Sequence, residues 1–479
     1  MKSVIWDRNY TLAALVFTVS LFLFFVLVFG NRIVAPIWIP ISLGVVAWYF
    51  YTLHKYSIHW QHYDSETFEK KLFWHSLIYR ILFGIIMITV AELTWQRPFY
   101  VGARDAVAYH VYALQVAEHL SVFNFSDAFN AANFTDRVDD SGPAMLIGFV
   151  YIFTFGYYFS AVLLYTVLGA FTVVYLYKTA QIIWGEAIAR LAGLMLMPFP
   201  LALFYSSVTL KEGIVTFLLM FIVYIMTRAI NGLKVSVTQW SLLVVFLASL
   251  FFFRTPVGLG CVVLVTTAFL SNKYRGSYAA SLLIGTFSMG AFFVFMYYLG
   301  EIDYFLDRAS TASSVGQQRS AVLFGDGDVQ VIGLSIMDLL LSPIYLAVSL
   351  LAPFPSFVEV ATYHGTSFDQ NNYNAPGRLV WNILAYFSVI GIWHTFKERD
   401  RLFSSLMVWG FTFGYMYILI ATVTFTRERF AYIGMPLLLI FAAIGVYKTK
   451  NRLLWYVYLI GLVGIVLLWN ALRLGVRGL

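Results

Sequence analysis

Apolar residues in this chain come in unbroken runs, not in alternation. The runs fall at 11–30, 33–53, 72–94, 158–177, 187–207, 213–230 and 237–253, then at 257–271, 278–299, 379–395, 403–424, 431–447 and 453–472. Charge, glycine or proline ends each of them. A helix crossing the hydrocarbon core needs roughly 20 apolar residues, so each run predicts one span. The expected fold class is all-α integral membrane, with about 13 transmembrane helices (roughly 11–15). Two further runs, 144–156 and 331–352, read as short, re-entrant or interfacial helices. An outer-membrane barrel would show alternation instead. Polar stretches interrupt the pattern at 54–71, 95–143 and 300–378. The chain therefore reads as a single transmembrane domain over 1–479, with a first large loop at 95–157 carrying interfacial helices and a second at 300–378.

Composition explains why lipid must be the solvent. Hydrophobic residues make up 61% of the chain and charged residues 11%, with a mean hydropathy of +0.78. A soluble domain carries about 25% charged residues, so 479 residues this apolar cannot all be hidden in one core. Aromatics, at 19%, suit interfacial belts at helix ends. The lone cysteine, Cys261, sits in an apolar run and excludes a disulfide framework. The first run follows Lys2 and Arg8 and is too long for the core of a signal peptide, so it reads as a retained span.

The net charge of +7 is informative through its distribution; it does not point to nucleic acid. With a cytoplasmic N-terminus, cytoplasmic segments hold 17 basic and 7 acidic residues and the opposite side 13 and 16. That is the positive-inside bias, and it places 95–143 and 300–378 outside. The expected location is the plasma (inner) membrane, with the active side periplasmic or extracellular. Ten of the eleven lysines fall inside, whereas Lys211 is the one outside among twelve arginines. Arginine offers a planar fork that holds phosphate or carboxylate in two hydrogen bonds. Outer arginines therefore suit anionic headgroups, though arginine is also an ordinary interfacial residue.

Three outer segments carry candidate chemistry. The first is Arg104-Asp105, where helical spacing aligns Asp105, Tyr109 and Tyr112 on one face. A carboxylate just beyond a span suits a general base for a substrate hydroxyl, and equally a helix N-cap. The second is Lys211-Glu212, after Met197-Pro-Phe-Pro200 and Tyr205-Ser-Ser207, where one span emerges and the next begins. The third is Arg427-Glu-Arg429, ahead of Pro436, two arginines that can converge on a phosphate at headgroup depth or act as anchors. The loop 300–378 adds Asp326-Gly-Asp328 and Arg378. The aspartate pair has a spacing that leaves room for a divalent cation but is also a turn sequence. No zinc, phosphate-loop or serine-elbow motif is present, so no metal site or cofactor is assigned.

Taken in order, Arg104-Asp105 through Tyr109, the proline-containing span ending Tyr205-Ser-Ser207 with Lys211-Glu212, and Arg427-Glu-Arg429 before Pro436 resemble the GT-C superfamily of membrane glycosyltransferases. Protein mannosyltransferases and the aminoarabinose transferase of lipid A belong to that superfamily. The resemblance implies a polyprenyl-phosphate-linked sugar donor and a glycan, lipid or protein acceptor. It makes Asp105 and Glu212 the catalytic carboxylates, and puts Arg104, Tyr109, Lys211, Arg378, Arg427 and Arg429 on substrate. Two departures are plain: two spans precede the segment that opens the family's core, and Lys-Glu stands where some members have paired aspartates. Two other readings stay open, a polymerase or ligase acting on polyprenyl-diphosphate-linked chains and a secondary transporter or lipid flippase. Against the latter, no two halves look alike.

Overall fold

A computed structural model describes residues 5–33, 36–99, 104–135, 138–273, 351, 354–358, 370–398, 401–421, 428–449 and 451–476. Among them there is no strand, only an isolated bridge between Ile33 and Val358. The helices are α1 (Arg8–Phe29), α2 (Trp38–His59), α3 (Ser65–Trp95), α4 (Arg104–Ser121), α5 (Phe125–Ala132), α6 (Ser141–Thr154), α7 (Tyr158–Trp184) and α8 (Glu186–Leu196). They continue with α9 (Pro200–Tyr205), α10 (Lys211–Ile230), α11 (Val237–Lys273), α12 (Gln370–Lys397), α13 (Leu406–Ala421), α14 (Glu428–Ala431), α15 (Met435–Lys448) and α16 (Leu453–Val476).

Seven described helical stretches are long and apolar enough to cross a membrane, the pattern of an all-α multi-pass membrane protein. The expected thirteen are not reached by this measure, for local reasons. The 187–207 run divides at Met197-Pro-Phe-Pro200 into α8 and α9, because each proline removes an amide donor and fixes its backbone. The 431–447 run yields only the 14-residue α15, and 278–299 lies outside the described residues. The short run 144–156 becomes the 14-residue α6.

α11 is not a straight rod. Arg254 has φ −164° and ψ 91°, outside helical geometry, two residues before Pro256. An ideal Cβ at Gly258 would lie 3.3 Å from the Cβ of Leu250, positions about 12 Å apart along a straight helix. Trp240 also lines one cavity with Ala268 and Phe269. The chain therefore folds back at Arg254, and the two legs match the two apolar runs 237–253 and 257–271.

The described residues form two compact units. The first draws on Trp60–Gly285 and Asp400–Phe411, the second on Lys2–His59, Thr286–Arg399 and Thr412–Leu479. In the first, α7 packs against α3, α8 and α10, and α10 against α11. Arg190 of α8 ties the α2–α3 turn by donating to the carbonyls of Trp60 at 3.0 Å and Tyr63 at 2.7 Å, and it also pairs with Glu186 at 2.5 Å. Helices α4, α5 and α6 form a small assembly with its own core of Val116, Ala128, Ala132 and Ala144. Asn124, a sequon asparagine, caps α5 by accepting from the Asp127 amide at 3.2 Å.

In the second unit α12 and α15 make the most intimate crossing. Glycines permit it: an ideal Cβ at Gly391 would overlap the Phe441 carbonyl, and one at Gly445 the Phe387 carbonyl. Trp6 is fully buried against Phe50, Phe387 and Tyr10, and its amide donates to Ser57 Oγ at 3.1 Å. Asp7, the N-cap of α1, also pairs with Arg452.

Candidate functional site

The site is assembled in the first unit, where α4, α6, α10 and the fold-back of α11 meet. Asp105 lies in the first turn of α4, where a carboxylate complements the positive end of the helix dipole. One turn on, Tyr109 is buried and its hydroxyl donates to Asp140 Oδ1 at 3.4 Å. Asp140 ends a 3-10 turn (Val138–Asp140) that leads directly into α6. Gly142, two residues later, lets α6 begin tight against α11: an ideal Cβ there would lie 2.8 Å from the Phe252 carbonyl oxygen.

The same carboxylate oxygen of Asp140 takes the ammonium of Lys211, first residue of α10. The two side chains are 16% and 11% exposed, so the ion pair is largely withdrawn from solvent. Its neighbour Glu212 is fully buried and pairs through Oε1 with Arg254 Nη1 at 3.1 Å. The non-helical backbone at Arg254 turns this side chain out of its helix toward α10. Glycine again makes room: a Cβ at Gly213 would lie 2.7 Å from the Tyr205 carbonyl oxygen and 3.3 Å from the Tyr165 ring.

An aromatic cluster flanks the ion pairs. His110 Nδ1 hydrogen-bonds the Tyr151 hydroxyl at 2.7 Å, and its ring packs against Phe99 and Tyr158. Burial holds the imidazole below the ordinary histidine value. Tyr158 reaches Thr209 Oγ1 at 3.4 Å, just before Lys211. Tyr112, on the face of α4 that carries Tyr109, is stacked on Phe134 at 4.1 Å and 7°.

The structure thus brings together Tyr109 and Lys211 on one carboxylate, with Glu212 beside Lys211 and Asp105 a turn from Tyr109. Arg104 opens α4. The other candidates belong to the second unit. Arg378 is buried in α12 and donates to the Phe354 carbonyl at 3.5 Å, and Arg429 is partly buried in α14. Arg427, Asp326 and Asp328 lie outside the described residues, among which no three His, Cys, Asp or Glu side chains gather as a metal-ligand set.

Two residues escaped the sequence reading. Asp140 stands in Asp-Asp-Ser-Gly-Pro ahead of an apolar run and reads as a turn. Arg254 separates two spans and reads as a topology signal. Only a charge flanked by Thr-Pro between two apolar runs hinted that a turn there would need a side-chain partner. No family model matches this sequence, and no curated protein matches it.

Proposed function

We propose that this chain is a GT-C-type glycosyltransferase that takes a sugar from a polyprenyl-phosphate-linked donor on the non-cytoplasmic face of the membrane and passes it to a glycan, lipid or protein acceptor. The observation that carries the reading is the convergence of Tyr109 and Lys211 on Asp140, next to the buried Glu212–Arg254 pair. Carboxylates and cations drawn from three segments, joined by Tyr109 from a fourth and partly withdrawn from solvent, suit the transfer of an activated sugar. Such a transfer needs a base for the acceptor hydroxyl and positive charge against the departing phosphate. In this reading Asp105 is the base, and Lys211 and Arg254 supply positive charge.

Asp105→Asn tests it. Asparagine keeps size and most hydrogen-bonding capacity but removes basicity. The purified variant should insert and bind donor as wild type while turnover falls about a hundredfold or more. A folded and fully active variant would remove Asp105 from the chemistry and leave Glu212 as the candidate.

A transporter is the second reading, and one observation favours it: Arg80 is buried midway along the apolar helix α3. Ionisable groups at such depth often line substrate paths. Uptake of a labelled solute into proteoliposomes without any chemical change in it would decide for this alternative.

A further inference from the structure

Arg80 is the sixteenth residue of the 31-residue α3, about 22 Å from either end, and only 1% exposed. A guanidinium at that depth must be bonded on every side to be tolerated. Its Nη1 donates to the Ser76 carbonyl at 3.1 Å, to Ser76 Oγ, and to the Met197 carbonyl at 3.3 Å, while Nε donates to Ser206 Oγ at 3.2 Å. Met197 ends the α8 side of the proline break, and Ser206 is the C-cap of α9. One side chain therefore ties the end of α8 to the end of α9.

The need for this clasp arises in the sequence. Pro198 and Pro200 end α8, and the carbonyls at its C-terminus are left without helical donors inside an apolar unit. Arg80 supplies a donor to one of them. Gly169 on α7 leaves the space, since a Cβ there would lie 2.7 Å from Arg80 Nε and would overlap Ser206 Oγ. Ser206 passes the constraint on: its hydroxyl donates to the Ala202 carbonyl at 2.7 Å, and the adjacent Tyr205 carbonyl abuts Gly213 at the start of α10. Lys211 follows Ser206 by five positions.

We propose that Arg80 is a positioning residue for the site: by tying the C-cap of α9 to the C-cap of α8 it sets where Lys211 and Glu212 stand against Asp140 and Arg254. The inference gives a role within the transferase reading above, but its geometry is measured without turnover. In full-length protein carrying Cys261→Ser, Asp140→Cys and Lys211→Cys are joined by a short bifunctional thiol reagent. A control pair, Tyr112→Cys with Phe134→Cys, reports the α4–α6 assembly. Arg80→Gln should slow cross-linking of the first pair about tenfold, with Arg80→Lys restoring part of it, because a point charge cannot bond the ends of α8 and α9 together. The control pair should be unchanged. Ser206→Ala, which deletes a single contact, should slow the first pair less and keeps the test open if Arg80→Gln does not fold. Unchanged cross-linking in Arg80→Gln and Ser206→Ala, or equal loss at both pairs, overturns the positioning role. Slowed cross-linking together with wild-type protein that transfers no sugar would leave Arg80 as positioned here and sink the transferase reading instead.

Discussion

At the scale of single residues, partners explain the site better than residue type does. Lys211 looked like an anion-binding lysine, yet its ammonium rests on Asp140. Removing one member of a largely buried pair strands the other charge, whereas removing both exchanges a costly pair for apolar packing. Lys211→Met should therefore destabilise the protein by about 2–5 kcal/mol. Adding Asp140→Leu should recover part of that, the Tyr109 hydroxyl losing its acceptor, a coupling that a double-mutant cycle of thermal unfolding would measure. Additive losses would mean the pair holds no energy. His110 gives a pH signature. Its folded value is depressed by burial, so the unfolded chain binds its proton first as pH falls. The contribution is fully present above the ordinary histidine value near 6.5 and is lost as pH drops through the lower folded value. Unfolding temperature in detergent should fall between about pH 7 and 5, and less so in His110→Gln. Parallel curves for the two proteins would exclude His110 as the cause.

Elements are governed by glycine and proline where helices meet or break. Gly391 and Gly445 face each other's helix across the α12–α15 crossing so closely that a methyl group would overlap backbone carbonyl oxygens. Backbone cannot yield as a flexible side chain does, so Gly391→Ala or Gly445→Ala should each cost about 1–3 kcal/mol or more. Gly464→Ala on α16, where a Cβ meets nothing within 4 Å, should be neutral or slightly stabilising in the same unfolding assay. The periodicity of the chain announced α12 and α15 as apolar helices. It was silent on their closeness, because a glycine in an apolar run looks the same whether it faces lipid or a carbonyl.

At the scale of the whole molecule, the fold-back of α11 decides how the chain is threaded. As one straight helix, Val237–Lys273 would span about 55 Å and put Lys234 and Phe269 on opposite faces of a membrane. Folded at Arg254, they share a face. Cysteines introduced at Lys234 and Phe269 in a Cys261→Ser background should react with an impermeant thiol reagent from the same side. Labelling from opposite sides would restore the straight helix. The sequence alone determined that lipid is the solvent, that the elements are helices, and where most of them run, because span length and side-chain polarity are local quantities. It also marked Asp105, Tyr109, Lys211 and Glu212, since polar residues at the ends of apolar runs are visible without a fold. Only the tertiary structure decided that Asp140 holds Tyr109 and Lys211, that Arg254 turns back to Glu212, and that Arg80 clasps α9. Each of these joins residues 31 to 126 positions apart, and a pairing over such distances is set by how helices pack, which no local pattern of apolar and polar positions encodes.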